Sequence, residues 1–368
     1  MPGGGPGGRF DRGPLHHHRL PEVRAVPDPV SRLAVRVLLT GGTGFVGSHT
    51  VGALQRSGHT VRVLARDASR VPAVLGPLGL EADEIAVGDM TVQDSVDAAL
   101  EDCDAVVHCA AQIGIGGGRG PTGTANVDGA HAVVGGAVAR GIDPIVYTSS
   151  ITVHLPCPDP VITPESPLAE PLSTYGAQKA SIDRFVQDLQ ADGAPITVLV
   201  VSGVYGPHSP HLDGSFAALL GSLEAGMVAP PGGLGVVDVR DVAQVITAGL
   251  EPARGPRRYL VSGNYVTWEE WTAVLSEAAG RTVPFPEVSA EVMIDLGKRF
   301  DELRDAGREG LPPLSVEAAV VMNAGKPADD TATLRDLGIT YRPTLDTFQD
   351  TLAWLRATGR LGEEKCTL

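Results

Sequence analysis

The stretch VRVLLTGGTGFVG, residues 35–47, decides the fold. It begins as a short apolar run and ends in a glycine-rich turn. Residues 45–57 then read as a helix. A strand, a glycine turn and a helix in that order form the context a pyrophosphate-binding turn demands. Glycine permits the tight turn and lets backbone N–H groups approach a phosphate. The helix N-terminus then favours its negative charge. Two registers fit, Gly41-Gly44-Gly47 and Gly42-Gly44-Gly47.

Working outward, strands and helices alternate. Residues 60–64 predict a second strand, 94–100 a helix and 105–109 a strand. Residues 126–140 predict a small-residue helix, and 145–149 a strand. A helix from about 175 to 190 leads into a strand at 196–201. Such alternation implies βαβ units, and the apolar strands suit a sheet covered on both faces. The expected fold class is α/β, a Rossmann-type doubly wound parallel sheet. After Gly206 the pattern is less regular. Residues 238–250 alternate and then read as a helix, 268–280 form a helix capped by Thr267, and further helices cover 291–306 and 344–358.

The expected organisation has three parts. Residues 1–33, rich in Pro, Gly and Arg, read as a disordered tail. Residues 34–206 form a dinucleotide-binding domain, to which 232–262 return. Residues 207–231 and 263–368 form a smaller, mostly helical substrate-binding domain. His16, His17 and His18 sit in the tail, where three adjacent histidines carry little meaning.

Charge narrows the function. Lys plus Arg number 29 against 44 Asp plus Glu, a net −15. That excess argues against a nucleic-acid binder, which needs a basic face, and against a polybasic membrane-surface protein. At 43% hydrophobic the chain is too apolar to be wholly disordered. No apolar run is long enough to span a bilayer. Four cysteines form no CxxC pair, and no signal-peptide apolar region opens the chain. The expectation is a cytoplasmic protein with reduced thiols.

The second strand bears on the cofactor. An acidic residue about 20 residues after the turn would take a ribose 2′-hydroxyl, whereas an Arg would accommodate a 2′-phosphate. Here the strand ends without an acid and Arg66 follows, which favours NADP. NAD stays open if Asp67 does the acidic work. Asp89 either accepts from the adenine amine or caps the turn before Thr91.

Tyr175 and Lys179 form YxxxK, one turn apart on one helix face. A phenol, with a pKa near ~10, is a poor acid/base group at neutral pH. A neighbouring ammonium favours the phenolate. Ser149 and Ser150 end a strand, where ligands of open α/β sheets bind. A hydroxyl there can hydrogen-bond a substrate carbonyl. Each part alone is common, and the combination is far more specific.

TGGTGFVG, HCAA (108–111), TANVDGA (124–130), YTSS, YGAQK, VYGP (204–207) and DVRDVA (238–243) follow in this order. Together they resemble the extended short-chain dehydrogenase/reductases, the NAD-dependent epimerase/dehydratase family, over about residues 34–361. The short PPGGLGVVDVRDVA segment looks most like the dihydroflavonol-reductase-like branch. The resemblance implies a catalytic set of Ser150, Tyr175, Lys179 and Asn126. Ser150 would orient the carbonyl and Tyr175 would act as general acid/base. Lys179 would bind the nicotinamide ribose and lower the Tyr175 pKa, with Asn126 supporting the site. The implied cofactor set is Gly41, Thr43, Gly44, Phe45, Val46, Gly47, Arg66, Asp89, Met90, Ala110, Ala111, Tyr175, Lys179 and Val204. Asp241 would organise the fold.

The sequence departs from the nucleotide-sugar members, which carry Arg-Pro where Val200-Val201 stand. The expected activity is therefore NADP-dependent reduction of a carbonyl on a small metabolite. The alternatives are a nucleotide-sugar epimerase or dehydratase that recycles NAD, and a non-catalytic NADP-binding sensor. A homodimer is one option for assembly. The glycine-rich loop 112–123 is either a substrate lid or a connector. His154 either faces substrate or is a packing or turn residue, the commoner role of a lone His, His208 and His211 lack a carboxylate partner for zinc, and Cys157 lacks an adjacent cation. Trp268 and Trp271 are expected to pack the smaller domain.

Overall fold

In the computed structural model, strand β1 (Arg36–Thr40) lies inside a parallel sheet, third of its seven strands, and feeds directly into the glycine turn. The structure describes residues 3, 34–112, 123–171, 173–212, 214–308, 311–312 and 314–362. The expectations for the N-terminal tail with its three histidines, for loop residues 113–122 and for Cys366 lie outside the described residues. Residues 34–368 make one compact unit. The strands after β1 are β2 (Thr60–Ala65), β3 (Glu84–Val87), β4 (Ala105–His108), β5 (Ile145–Ser150) and β6 (Ile196–Val201). β7 (Gly203–Tyr205), β8 (Gly233–Asp238), β9 (Arg257–Val261) and β10 (Asn264–Thr267) follow.

Seven strands pair in the order β3-β2-β1-β4-β5-β6-β9, every pair parallel. The order reverses direction between β1 and β4, so a crevice opens at their carboxyl ends, where ligands of doubly wound sheets bind. Strands β5 and β6 are buried at every residue, as the continuous apolar runs require. In β1 the side chains alternate. Leu38 joins the core on one face, with Ile145, Tyr147 and Ile196, while Val37 and Leu39 join the other, with Leu54 and Ile246. Edge strand β3 is only half-buried.

The predicted helix at 126–140 is continuous in space but carries a π-turn. Helix Ala125–Ala130 runs into π-turn His131–Gly135 and then Gly136–Ala139. The helix after Thr267 spans Trp268–Ala279 and begins with a full capping box, Thr267 with Glu270. It ends at Gly280, whose φ of 67° favours glycine.

A second sheet, β10-β8-β7, stands apart from the first. It packs with Trp271, Phe348, Trp354 and Leu275 into a third core that also receives Phe45. Trp268 and Trp271 are buried there, so they pack rather than face a ligand. Among the described residues, no helix is long and apolar enough to cross a membrane.

Candidate active site

The glycine turn is held by close backbone approach. Gly41 has φ 80°, and a Cβ there would meet the Ala110 backbone at 2.8 Å. A Cβ on Gly47 would lie 2.1 Å from the Gly41 carbonyl oxygen, so this helix face accepts no side chain. Of the two registers, Gly41 and Gly47 are therefore the glycines that touch each other. Helix Phe45–Arg56 starts with Gly44 as N-cap, no capping side chain and no acid in its first turn. Its first helical bond runs from Ser48 N–H to the Gly44 carbonyl. The preceding N–H groups, of Phe45, Val46 and Gly47, lack helical acceptors. A bare, acid-free helix start of this kind fits a dinucleotide pyrophosphate. Thr43 and Val46 line the same turn, half-buried, and the Phe45 ring turns away to pack on Phe216.

Thr40 locks the neighbouring strand end to this turn. Its Oγ1 lies 2.8 Å from His108 Nδ1 and accepts from the Ala110 N–H at 3.4 Å. Ala110 and Ala111 are half-buried beside it. Full burial pushes the His108 pKa down to about 3, so the ring is neutral.

Arg66 and Asp67 both lie exposed beyond β2. The Asp67 carboxylate accepts from the Ser69 backbone and hydroxyl at 2.9 and 2.6 Å, which lowers its pKa. That leaves Arg66 as the polar group at this strand end without a turn of its own to hold. Asp89 caps the turn before Thr91, accepting from its N–H and hydroxyl through Oδ1. Those bonds, with the nearby Arg66 charge, hold Asp89 below the ordinary carboxylate range. Met90 packs against Gly129, where a Cβ would meet its side chain at 2.8 Å.

Ser150 closes β5, and Tyr175 and Lys179 lie in helix Thr174–Ala191, whose N-cap Ser173 accepts from the Gly176 N–H. The Ser150 hydroxyl lies close enough to the Tyr175 phenol to draw its pKa down, against the effect of burial. Ser150 Oγ accepts from the Thr152 N–H and hydroxyl at 3.3 and 3.0 Å, which leaves its own proton to donate. Lys179 is buried, donates to the Thr148 carbonyl at 2.8 Å and lies 5.0 Å over the Tyr147 ring. Burial lowers its pKa from 10.5 to about 8, opposed by the Asp183 charge.

For Tyr175 the structure differs from the sequence expectation of a lowered pKa. Burial outweighs the lowering effect of the Ser150 hydroxyl and pushes the phenol up to about 12. The proton therefore stays on the phenol, the form that can be donated to an oxygen.

Asn126 is buried and ties two elements together. Its Oδ1 accepts from the Gln112 N–H at 2.8 Å, and its Nδ2 donates to the Gln112 carbonyl and to Gln178 Oε1. Val204 sits in β7, half-buried, next to a segment in which the Pro207 carbonyl is 3.0 Å from His49 Nε2.

Sequence reading passed over three polar residues that the fold brings to the site: Gln178, Asp183 and Arg258. Gln178 and Asp183 share the Tyr175 helix, so their spacing was available as a signal. Arg258 comes from β9, and nothing local announces it. The remaining candidates are structural. His154 lies buried between the Pro167 carbonyl and Arg258. Asp241 accepts from the Arg342 backbone at 2.7 Å and pairs with its guanidinium. Among the described residues, no cluster of three His, Cys, Asp or Glu is placed to hold a metal.

Residues 37–262 match the model of the NAD dependent epimerase/dehydratase family. The chain is 29% identical over 332 residues to sterol demethylase protein B of Methylococcus capsulatus, covering 88% of this chain and 99% of that one. It is 30% identical over 283 residues to 2′-dehydrokanamycin reductase of Streptomyces kanamyceticus, covering 74% of each. Among solved structures, the fold is shared with UDP-glucose-4-epimerase of Stenotrophomonas maltophila with bound NAD. That match has a TM-score of 0.67 at 22% identity, over 89% of this chain and 99% of the other. With more than half its length matched to one family model, the chain belongs to the NAD-dependent epimerase/dehydratase family of extended short-chain dehydrogenase/reductases and is an NAD(P)-dependent enzyme of that type.

Proposed function

We propose that the protein reduces a carbonyl of a small metabolite with NADPH at a Ser150-Tyr175-Lys179 site. One observation carries the reading. A buried, protonated Tyr175 phenol lies beside buried Ser150 at the end of an inner strand, with Lys179 one turn away. Ser150 donates to the carbonyl oxygen and orients it. Tyr175 gives that oxygen its proton as negative charge develops there. Lys179 supplies the positive charge that steadies the phenolate left behind. A bound nicotinamide cofactor supplies the redox chemistry. The glycine turn and the helix N-terminus at Phe45 hold its pyrophosphate. Arg66 meets a 2′-phosphate, while Asp67 is occupied with Ser69. Met90, Ala110, Ala111 and Val204 line the cofactor. Residues 207–231 and 263–368 supply the substrate contacts.

The likeness to 2′-dehydrokanamycin reductase over 74% of both chains supports reduction. A second reading, epimerisation of a nucleotide sugar with recycled NAD, has its own support. A 29% likeness to UDP-glucose 4-epimerase of Neisseria meningitidis spans 187 residues, about half of this chain. The nucleotide carried by the purified protein separates the two. A reductase releases its cofactor and binds added NADPH reversibly. Stoichiometric NAD retained through purification would favour the epimerase.

A further inference from the structure

Helix Thr174–Ala191 carries a third buried polar residue on the same face, Asp183, one turn beyond Lys179. It has no exposed surface. Its Oδ1 accepts the Ser149 hydroxyl at 2.6 Å, and its Oδ2 pairs with Arg258 from β9. Arg258 also lies 3.3 Å from His154 Nε2, and burial lowers the His154 pKa. The chain of contacts thus runs from β9 to the serine beside Ser150.

A buried ion pair is a poor device for stability alone, because well-packed apolar residues commonly serve as well. Its place here suggests another use. The titratable groups facing Lys179 from neighbouring elements are uncharged at neutral pH. His108 and Cys109 on β4 are a neutral ring and a thiol pushed up to about 12, and Tyr147 on β5 and Tyr175 on the same helix are phenols. Asp183 brings the negative charge, and its carboxylate is itself paired with Arg258.

We propose that the buried Asp183–Arg258 pair is a positioning device for the site: Asp183 sets a carboxylate one turn from Lys179 on the same buried helix face and, through Ser149, fixes the strand end that carries Ser150. Its bearing on catalysis rests on the reading under Proposed function, whereas its effect on the Lys179 charge does not.

The test follows the Lys179 proton directly. The chain has four lysines, Lys179, Lys298, Lys326 and Lys365, so 13Cε-lysine NMR gives few resonances, and Lys179→Met assigns the one of interest. The wild-type midpoint is expected near 8. Asp183→Asn should lower it by about one unit, and Arg258→Gln, which leaves Asp183 facing Lys179 alone, should raise it by about one unit. Ser149→Ala keeps the charge and should leave it in place, as should Asp183→Glu. If Asp183→Asn does not fold, the double variant Asp183→Asn/Arg258→Gln still predicts a lowered midpoint. An unmoved midpoint, or shifts of the same sign in both single variants, overturns the proposal. The alkaline limb of NADPH oxidation should move in the same two directions. A wild type inactive on every carbonyl would overturn the reductase reading and leave the NMR result to decide this one.

Discussion

Asn126 Nδ2 donates to Gln178 Oε1 at 2.7 Å, joining the helix after β4 to the helix that carries Tyr175 and Lys179. From that junction the two amides reach the backbone on both sides of one loop. Asn126 holds residue 112, and Gln178 Nε2 donates to the Gly123 carbonyl at 2.8 Å. The pair is thus a tie between the segment that follows β4 and the Tyr175 helix.

Breaking the tie has a measurable cost. Asn126→Ala should lose about 1–3 kcal/mol of stability, since its partners stay behind unpaired. Gln178→Ala should lose less, and the double variant should lose less than the two added, because they share one bond. Urea denaturation of the four proteins checks this, and strict additivity would show the bond contributes nothing.

The glycine turn makes a sterically simple prediction. Gly47→Ala places a Cβ 2.1 Å from the Gly41 carbonyl oxygen, so the backbone must move away from its phosphate-binding geometry. Dinucleotide affinity should fall about a hundredfold or more, roughly 2.8 kcal/mol. Calorimetric titration of the variant with NADPH and NADH tests it.

Arg66 decides between the two nucleotides. Arg66→Ser should weaken NADPH binding about tenfold, roughly 1.4 kcal/mol, and leave NADH nearly unchanged. Equal loss for both would assign Arg66 to something other than the 2′-phosphate.

Two buried histidines set an acid limit to stability. Burial lowers His49 from 6.5 to about 4 and His108 to about 3. Below pH 6.5 the unfolded chain binds protons on these rings that the folded chain refuses. Stability therefore falls as pH drops from 6.5 towards 4, by up to about 1.4 kcal/mol per pH unit for each ring. Urea midpoints between pH 7 and pH 5 should show the decline, and His108→Gln should flatten it.

Much of this was legible in the sequence. Strand-turn-helix order fixed the position of the glycine turn, and apolar runs marked β1, β4, β5 and β6. The second sheet was hidden for a physical reason. Its strands are short and rich in glycines that look like turn signals. A Cβ on Gly263 would lie 2.1 Å from the Val236 carbonyl, and one on Gly235 2.3 Å from that of Ser262. Gly235 within β8 and Gly263 just before β10 permit close backbone approach, and a strand glycine such as Gly235 looks locally like a turn signal. At the site, Ser150, Tyr175 and Lys179 come from recognisable local motifs. The Arg258 contact with Asp183 joins residues 75 positions apart and is visible only in the fold.

The central claim is Tyr175-dependent carbonyl reduction. The most direct measurement is NADPH depletion against a panel of aldehydes, ketones and hydroxyketones, with wild type and Tyr175→Phe side by side. The account predicts turnover by the wild type on at least one carbonyl class. It also predicts a loss of about 10²–10⁴-fold in kcat for the variant, with NADPH affinity largely kept. Equal turnover by the two proteins would contradict it.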